Sequence, residues 1–184
     1  MKNKMIVLMG GQGVGKGTFA KILREEHNYN YIETGAMLRS LPADSEIAKI
    51  MARGELVPDE MFLQLVADKL SQGGDILMDG FPRTLAQAQW LIESYAEIFD
   101  IHVLYLNVPE DIMLARIQKR INQGGGRADD ADAAAVRRRL DTFWKTTMPA
   151  IEWLKTVSNI HFSDLDVTGT VDENMAVINK ALAE

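Results

Sequence analysis

Residues Gly10 to Thr18 read GGQGVGKGT, between the apolar run Met5 to Met9 and a helical stretch that starts at Phe19. The spacing Gly10-x4-Gly15-Lys16 suits a phosphate cradle. A strand there turns sharply into a helix, and backbone N–H groups converge on an anion at the positive end of the helix dipole. Lys16 adds a mobile full charge, while glycine at 13 and 15 lets the backbone take positive φ and approach phosphate oxygens. The plain alternative is a glycine-rich connector with a surface lysine. The loop by itself indicates phosphate and leaves the reaction open.

A second constellation, Asp79-Gly80-Phe81-Pro82-Arg83-Thr84, follows the apolar triplet Ile76-Leu77-Met78. A strand that ends there places it at the carboxyl edge, where open α/β sheets bind ligands. Asp79 could then hold the water shell of a magnesium ion, and the planar fork of Arg83 could clamp a phosphate. A proline turn with a solvated ion pair is the competing reading. Two further segments, TGAMLR at 34–39 and GELVPD at 54–59, flank a polar stretch.

The 184 residues carry a formal charge of −6, so a broad nucleic-acid surface is not expected and anions must be caught locally. Arg116, Arg120, Arg127, Arg137, Arg138 and Arg139 fall within 24 residues, which suits a small polyphosphate in a cleft. Arg116 and Arg120 share a helix face, whereas the three successive arginines point about 100° apart and cannot all face inward. With no cysteine, a disulfide framework, a thiol nucleophile and a cysteine zinc site are excluded. No stretch approaches the roughly 20 apolar residues of a membrane span, and the basic start leads straight into strand one. A cytoplasmic protein is the expectation.

Positioning these groups requires alternating short apolar runs and longer helical patterns, the signature of a parallel sheet covered on both sides. The pattern predicts strands at Lys4–Met9, Tyr31–Glu33, Asp75–Met78, His102–Asn107 and Asn159–Phe162. It predicts a helix over Thr84–Phe99 with Leu85, Ala88, Ile92, Tyr95 and Phe99 facing the sheet. Another starts near Pro109 and carries Ile112, Ile117 and Ile121. The last opens on the capping box Thr170-x-x-Glu173 and should bury Val171, Met175, Ile178 and Leu182. Thr34 to Pro58 reads as a small helical insert, and Asn122 to Asp132, with three consecutive glycines, as a loop. His27, His102 and His161 match no motif, and Trp90, Trp144 and Trp153 read as packing residues.

In the loop, Gly17 follows Lys16 and the hydroxyl arrives on Thr18, so that Gly-Lys-Gly-Thr resembles the nucleoside monophosphate kinase variant. Taken with TGAMLR, GELVPD, DGFPRT and the arginines, in that order, the chain resembles the adenylate kinase family over nearly its whole length. The resemblance implies an α/β P-loop three-layer fold, residues 1–184, with a five-stranded parallel sheet. It further implies a nucleoside-monophosphate-binding insert at 34–58 and a short, zinc-free lid at 121–131, with no protein zinc site. The implied reaction is reversible transfer of the γ-phosphoryl of Mg-ATP to AMP, giving two ADP. It needs no base or covalent nucleophile, only in-line positioning and charge neutralisation.

On the same resemblance, Gly13, Val14, Gly15, Lys16, Gly17, Thr18, Arg116, Arg120 and Gly169 bind ATP. Thr34, Arg39, Glu55, Leu56, Val57, Gly80, Phe81, Pro82, Arg83, Gln87, Arg127 and Arg139 form the AMP half. Lys16, Arg83, Arg120, Arg127 and Arg139 supply the catalytic charge, and Asp79 acts on Mg²⁺ through water. Gln87 resembles the family glutamine that reads the adenine edge. The partners implied are ATP, AMP and ADP, with neither nucleic acid nor membrane, and a monomer is expected. Two departures stand out: Gln12 where the family usually has proline, and Ala36 where TGDMLR carries aspartate. The alternatives are a kinase for UMP, CMP or a small acceptor, and a non-catalytic nucleotide-binding regulator.

Overall fold

Five strands, β1 (Asn3–Met9), β2 (Asn30–Glu33), β3 (Ile76–Asp79), β4 (Phe99–Asn107) and β5 (His161–Asp166), build one parallel sheet in the order β2-β3-β1-β4-β5. The structure is a computed structural model that describes residues 2–52, 57–124 and 133–183. The helices are α1 (Lys16–Glu26), α2 (Thr34–Arg39), α3 (Glu46–Ala52), α4 (Asp59–Leu70), α5 (Leu85–Tyr95), α6 (Glu110–Asn122), α7 (Ala133–Thr142), α8 (Met148–Leu154) and α9 (Val171–Ala183). A π-helical turn, Phe143–Thr147, joins α7 to α8.

Helices cover both faces, so β1 reads as a continuous apolar run with no polar alternation. Met5, Ile6 and Val7 have no exposed surface at all. Successive residues serve opposite sides. Met5, Val7 and Met9 join a layer that includes Val66 of α4, Leu91 of α5 and Ile151 of α8. Ile6 and Leu8 join the other, with Leu23 of α1, Ile117 of α6, Leu140 of α7 and Ile178 of α9. Truncating a fully buried member such as Leu77 to alanine costs about 2–5 kcal/mol. The chain leaves β1 toward β2 and β4 toward β5, on opposite sides, which opens a crevice at the carboxyl ends of the strands.

The helix after β3, the final strand and α9 each depart from expectation. The helix predicted over Thr84–Phe99 stops at Tyr95, and Phe99 opens β4 after a tight turn in which Ile98 N–H donates to Tyr95 O at 2.9 Å. Its buried line is Gln87, Ala88, Leu91 and Ile92, while Leu85 is exposed. The final strand runs His161–Asp166 and not Asn159–Phe162. It is an edge strand in which only Leu165 is buried, so no apolar alternation marks it. In α9 the capping box forms, with Thr170 N–H donating to Glu173 Oε2 at 2.8 Å and Glu173 N–H to Thr170 Oγ1 at 3.3 Å. Val171, however, is exposed, and the buried position goes to Asn174, whose amide donates to Val167 O and Gly169 O. Helices α2 and α3 occupy the described part of 34–58.

Candidate active site

At the carboxyl ends of β1 and β3 lies a cleft of about 710 Å³, a volume suited to a small polar ligand. The loop after β1 forms one wall. Gly15, φ 104°, caps α1, whose first turn holds no acidic residue to compete with an anion at that helix N-terminus. Steric packing dictates Gly13: at φ 85°, an added Cβ would lie 2.6 Å from Met113 O on α6. At Gly15 it would meet the Phe19 ring at 2.8 Å. The glycines therefore let the loop nest against protein as much as approach a ligand. Lys16 arches back over it, its Nζ donating to Gly10 O at 2.7 Å and Gly11 O at 3.0 Å. Gly17 and Thr18 are exposed on the same wall, whereas Val14 is fully buried and serves packing.

The opposite wall comes from the end of β3. Asp79 is buried to 8% exposure and accepts a hydrogen bond from the Tyr31 hydroxyl at 3.4 Å. The Tyr31 phenol is pushed up by burial first and then by the fields of Asp79 and Glu33, so it stays protonated and able to donate. Beyond Asp79, Gly80 O accepts from the Thr34 hydroxyl at 2.9 Å and from Arg83 Nε at 2.7 Å. The Phe81–Pro82 peptide is cis and both residues are buried. Gly80, Phe81, Pro82 and Arg83 all line the cleft. Arg39, at the end of α2, pairs with Glu33 at 3.3 Å; being mostly exposed, that pair contributes little to stability.

Arg116, Arg120 and Arg139 converge on the same space from α6 and α7. Arg116 does more than face the cleft: Nη1 donates to Val14 O at 3.2 Å and Nη2 to Val167 O at 2.8 Å, tying the loop to the end of β5. Arg137 points away and pairs with Glu110 at 2.7 Å and Asp141 at 3.1 Å on a solvated face.

Not every expected residue reaches the cleft. Thr34 is buried and holds Gly80; Gly169 is exposed away from it. Gln87 is buried rather than solvated, its Oε1 accepting from Arg83 N–H at 2.9 Å and its Nε2 donating to Asp59 Oδ1 at 3.3 Å. Val57 is half-buried outside the cleft lining. Glu55, Leu56 and Arg127, with most of the 121–131 segment, lie outside the described residues. Sequence reasoning missed Tyr31, Glu33, Phe143 and Thr147 as cleft residues. The π-helical turn brings the last two inward, and Thr147 Oγ1 donates to Arg83 O at 3.0 Å. Trp144, expected to pack, is exposed and donates to Glu110 Oε2 at 2.9 Å. Among the described residues no helix is long and apolar enough to cross a membrane.

With this geometry in place, a family model described as adenylate kinase matches residues 8–159. A protein named adenylate kinase from Parvibaculum lavamentivorans is 38% identical, over 94% of this chain and 92% of its own. Proteins of the same name from Thermus thermophilus, at 35% identity, and Bacteroides thetaiotaomicron, at 34%, each align over 96% of this chain and over 96% and 97% of their own lengths.

Proposed function

The chain belongs to the adenylate kinase family, and from that premise we propose that it moves the γ-phosphoryl of ATP reversibly to AMP, giving two ADP. The observation that carries the reading is the placement of cationic groups on both sides of one cleft. Lys16 stands over the β1 loop, and Arg39 and Arg83 stand across from it beside β3. Binding one nucleotide would require charge on one side only; two phosphate chains end to end require it on both.

In the proposed division of labour, the α1 N-terminus, Lys16, Thr18 and Arg120 hold the donor phosphates. Arg39, Arg83, Arg139 and Arg127 hold the acceptor phosphate. Arg116 acts on the donor side by fixing the loop through Val14 O. No group is asked to remove a proton, because the acceptor phosphate is already ionised. The protein supplies alignment and fixed positive charge where negative charge spreads during transfer. Asp79, Thr18 and the phosphates offer hard oxygen donors of the kind magnesium takes, and the nearly buried Asp79 carboxylate faces the cleft. Mg²⁺ arriving with ATP would be held through its water shell by Asp79 and would supply positive charge that offsets the phosphates.

Residues 34–58 and 121–131 are assigned to closure over the two substrates, which keeps water from competing as acceptor. Hydrogen exchange in both segments should slow when a bisubstrate analogue binds; unchanged exchange would remove the assignment. The cytoplasm and a monomer complete the proposal.

A coupled assay of ADP formation, with AMP omitted as control, tests the whole. The expected result is ADP only when AMP is present, and AMP preferred over UMP and CMP. The amide of Gln87 already spends one donor and one acceptor on Asp59 and Arg83, an observation that favours a broader acceptor range as the second reading. Faster turnover with UMP or CMP would establish it. Binding of nucleotide without any turnover would establish a regulator, a reading that the absence of a carboxylate at Ala36 keeps open.

A further inference from the structure

At the end of the sheet opposite the nucleotide cleft, one carboxylate is shared by two imidazoles. Asp100 and His102 stand two apart near the start of β4, hence on one face, and His161 opens β5 directly opposite His102 in the strand register. The two rings stack with centroids 4.4 Å apart and planes 15° from parallel. Their Nε2 atoms face the same way: His102 Nε2 is 3.2 Å from Asp100 Oδ2, and His161 Nε2 is 3.3 Å from Asp100 Oδ1.

We propose that Asp100, His102 and His161 bind one divalent transition-metal ion of the zinc class, with water completing its coordination on the exposed side. The three donor atoms lie within 4.8 Å of one another. The separations of 3.2 and 3.3 Å run to different oxygens of Asp100, and each is close to the edge, about 3.3 Å, of a tetrahedron about an ion with bonds near 2.0–2.1 Å. Two imidazoles and a carboxylate suit zinc, cobalt, nickel or copper and not the hard magnesium ion of the nucleotide reaction. His161 is exposed and Asp100 half-buried, leaving the open positions to solvent, while buried His102 anchors the site.

Lys4, opposite Asp100 on β1, is the nearby competing cation, and its ammonium is occupied by Leu182 O at 3.0 Å. In the metal-free chain the acceptor-only Asp100 carboxylate keeps the proton on His102 Nε2, and with Nε2 on a metal that proton would move to Nδ1, which has no hydrogen-bond partner among the described residues. The site would staple the start of β4 to the edge strand β5, independently of the nucleotide chemistry.

The test uses the full chain stripped with chelator and held in excess Mg²⁺, which occupies hard-oxygen positions. Equilibrium dialysis should find one equivalent of Zn²⁺, and Co²⁺ should give visible ligand-field absorption. Zn²⁺ should also raise Tm. Asp100→Asn and His161→Asn, neither at a buried position, should weaken uptake by more than about tenfold and abolish the Tm rise. His27→Asn should behave as wild type. No stoichiometric uptake, or equal uptake by both site variants, would overturn the proposal.

Discussion

The side-chain oxygen of Gln87 accepts the backbone N–H of Arg83 at 2.9 Å, while the same amide donates to Asp59 at 3.3 Å. Its orientation is dictated at both ends, and it joins the loop before α5 to the start of α4. Gln87→Leu keeps the volume but strands the Arg83 N–H, at a cost of about 1–3 kcal/mol. Steady-state kinetics should show KM for AMP rising about tenfold with KM for ATP nearly unchanged. Parallel changes in both constants would assign Gln87 to general stability alone.

Lys16→Met should lower kcat by about 100-fold or more, since the charge it removes faces the group in transit. KM for AMP should change little. The variant also loses the bonds to Gly10 O and Gly11 O, so a thermal melt is needed beside the assay. A loss of activity that tracked Tm alone would count against a catalytic role.

Gly13→Ala and Gly17→Ala should separate packing from ligand contact. The first places a Cβ 2.6 Å from Met113 O at a positive φ, and should destabilise the fold by about 1–3 kcal/mol. The second meets nothing within 4 Å, so Tm should hold. Any rise in KM for ATP with Gly17→Ala then reports a collision with the nucleotide.

Arg116→Lys retains the charge but a single ammonium does not reproduce the forked contact to Val14 O and Val167 O. KM for ATP should increase about tenfold, with KM for AMP within twofold, as about 1.4 kcal/mol of loop positioning is lost. An unchanged KM for ATP would show that the bridge is incidental to binding.

The capping box of α9 should give a pH signature. Hydrogen bonds from the Thr170 N–H and hydroxyl hold Glu173 below its ordinary 4.5. A depressed carboxyl releases its proton more readily in the folded chain, so its stabilisation is complete above pH 4.5 and disappears as pH falls through the folded value. The Tm gap between wild type and Glu173→Gln should therefore be constant near neutrality and shrink in acid. A gap independent of pH would refute the assignment.

Central strands were legible in the sequence because burial on two faces leaves an unbroken apolar run, as in Met5 to Met9. The phosphate loop was legible because its glycines and Lys16 are contiguous in the chain, even though part of the demand on Gly13 comes from Met113 on α6. Strand β5 was not, since an edge strand with one buried residue needs no pattern of its own. Phe143 and Thr147 were hidden for another reason: a π-helical turn is set by packing between α7 and α8, and FWKTT carries no periodic mark of it. Gln87 resembles an adenine-reading glutamine in the sequence, but its burial against Asp59, 28 residues away, is a contact that no local window spans. The Asp100, His102 and His161 cluster was invisible on the same ground, requiring the β4–β5 register to assemble.

The sheet divides the interior into two layers, and each substrate wall is founded on a different one. Val14 and Met113 beneath the β1 loop belong to one layer, Met37 and Phe81 beneath the opposite wall to the other. Substitutions far apart and without shared neighbours add independently. On the proposed assignment, evolution can retune affinity for donor and acceptor one at a time, drifting under one nucleotide while the footing of its reaction partner stays as it was.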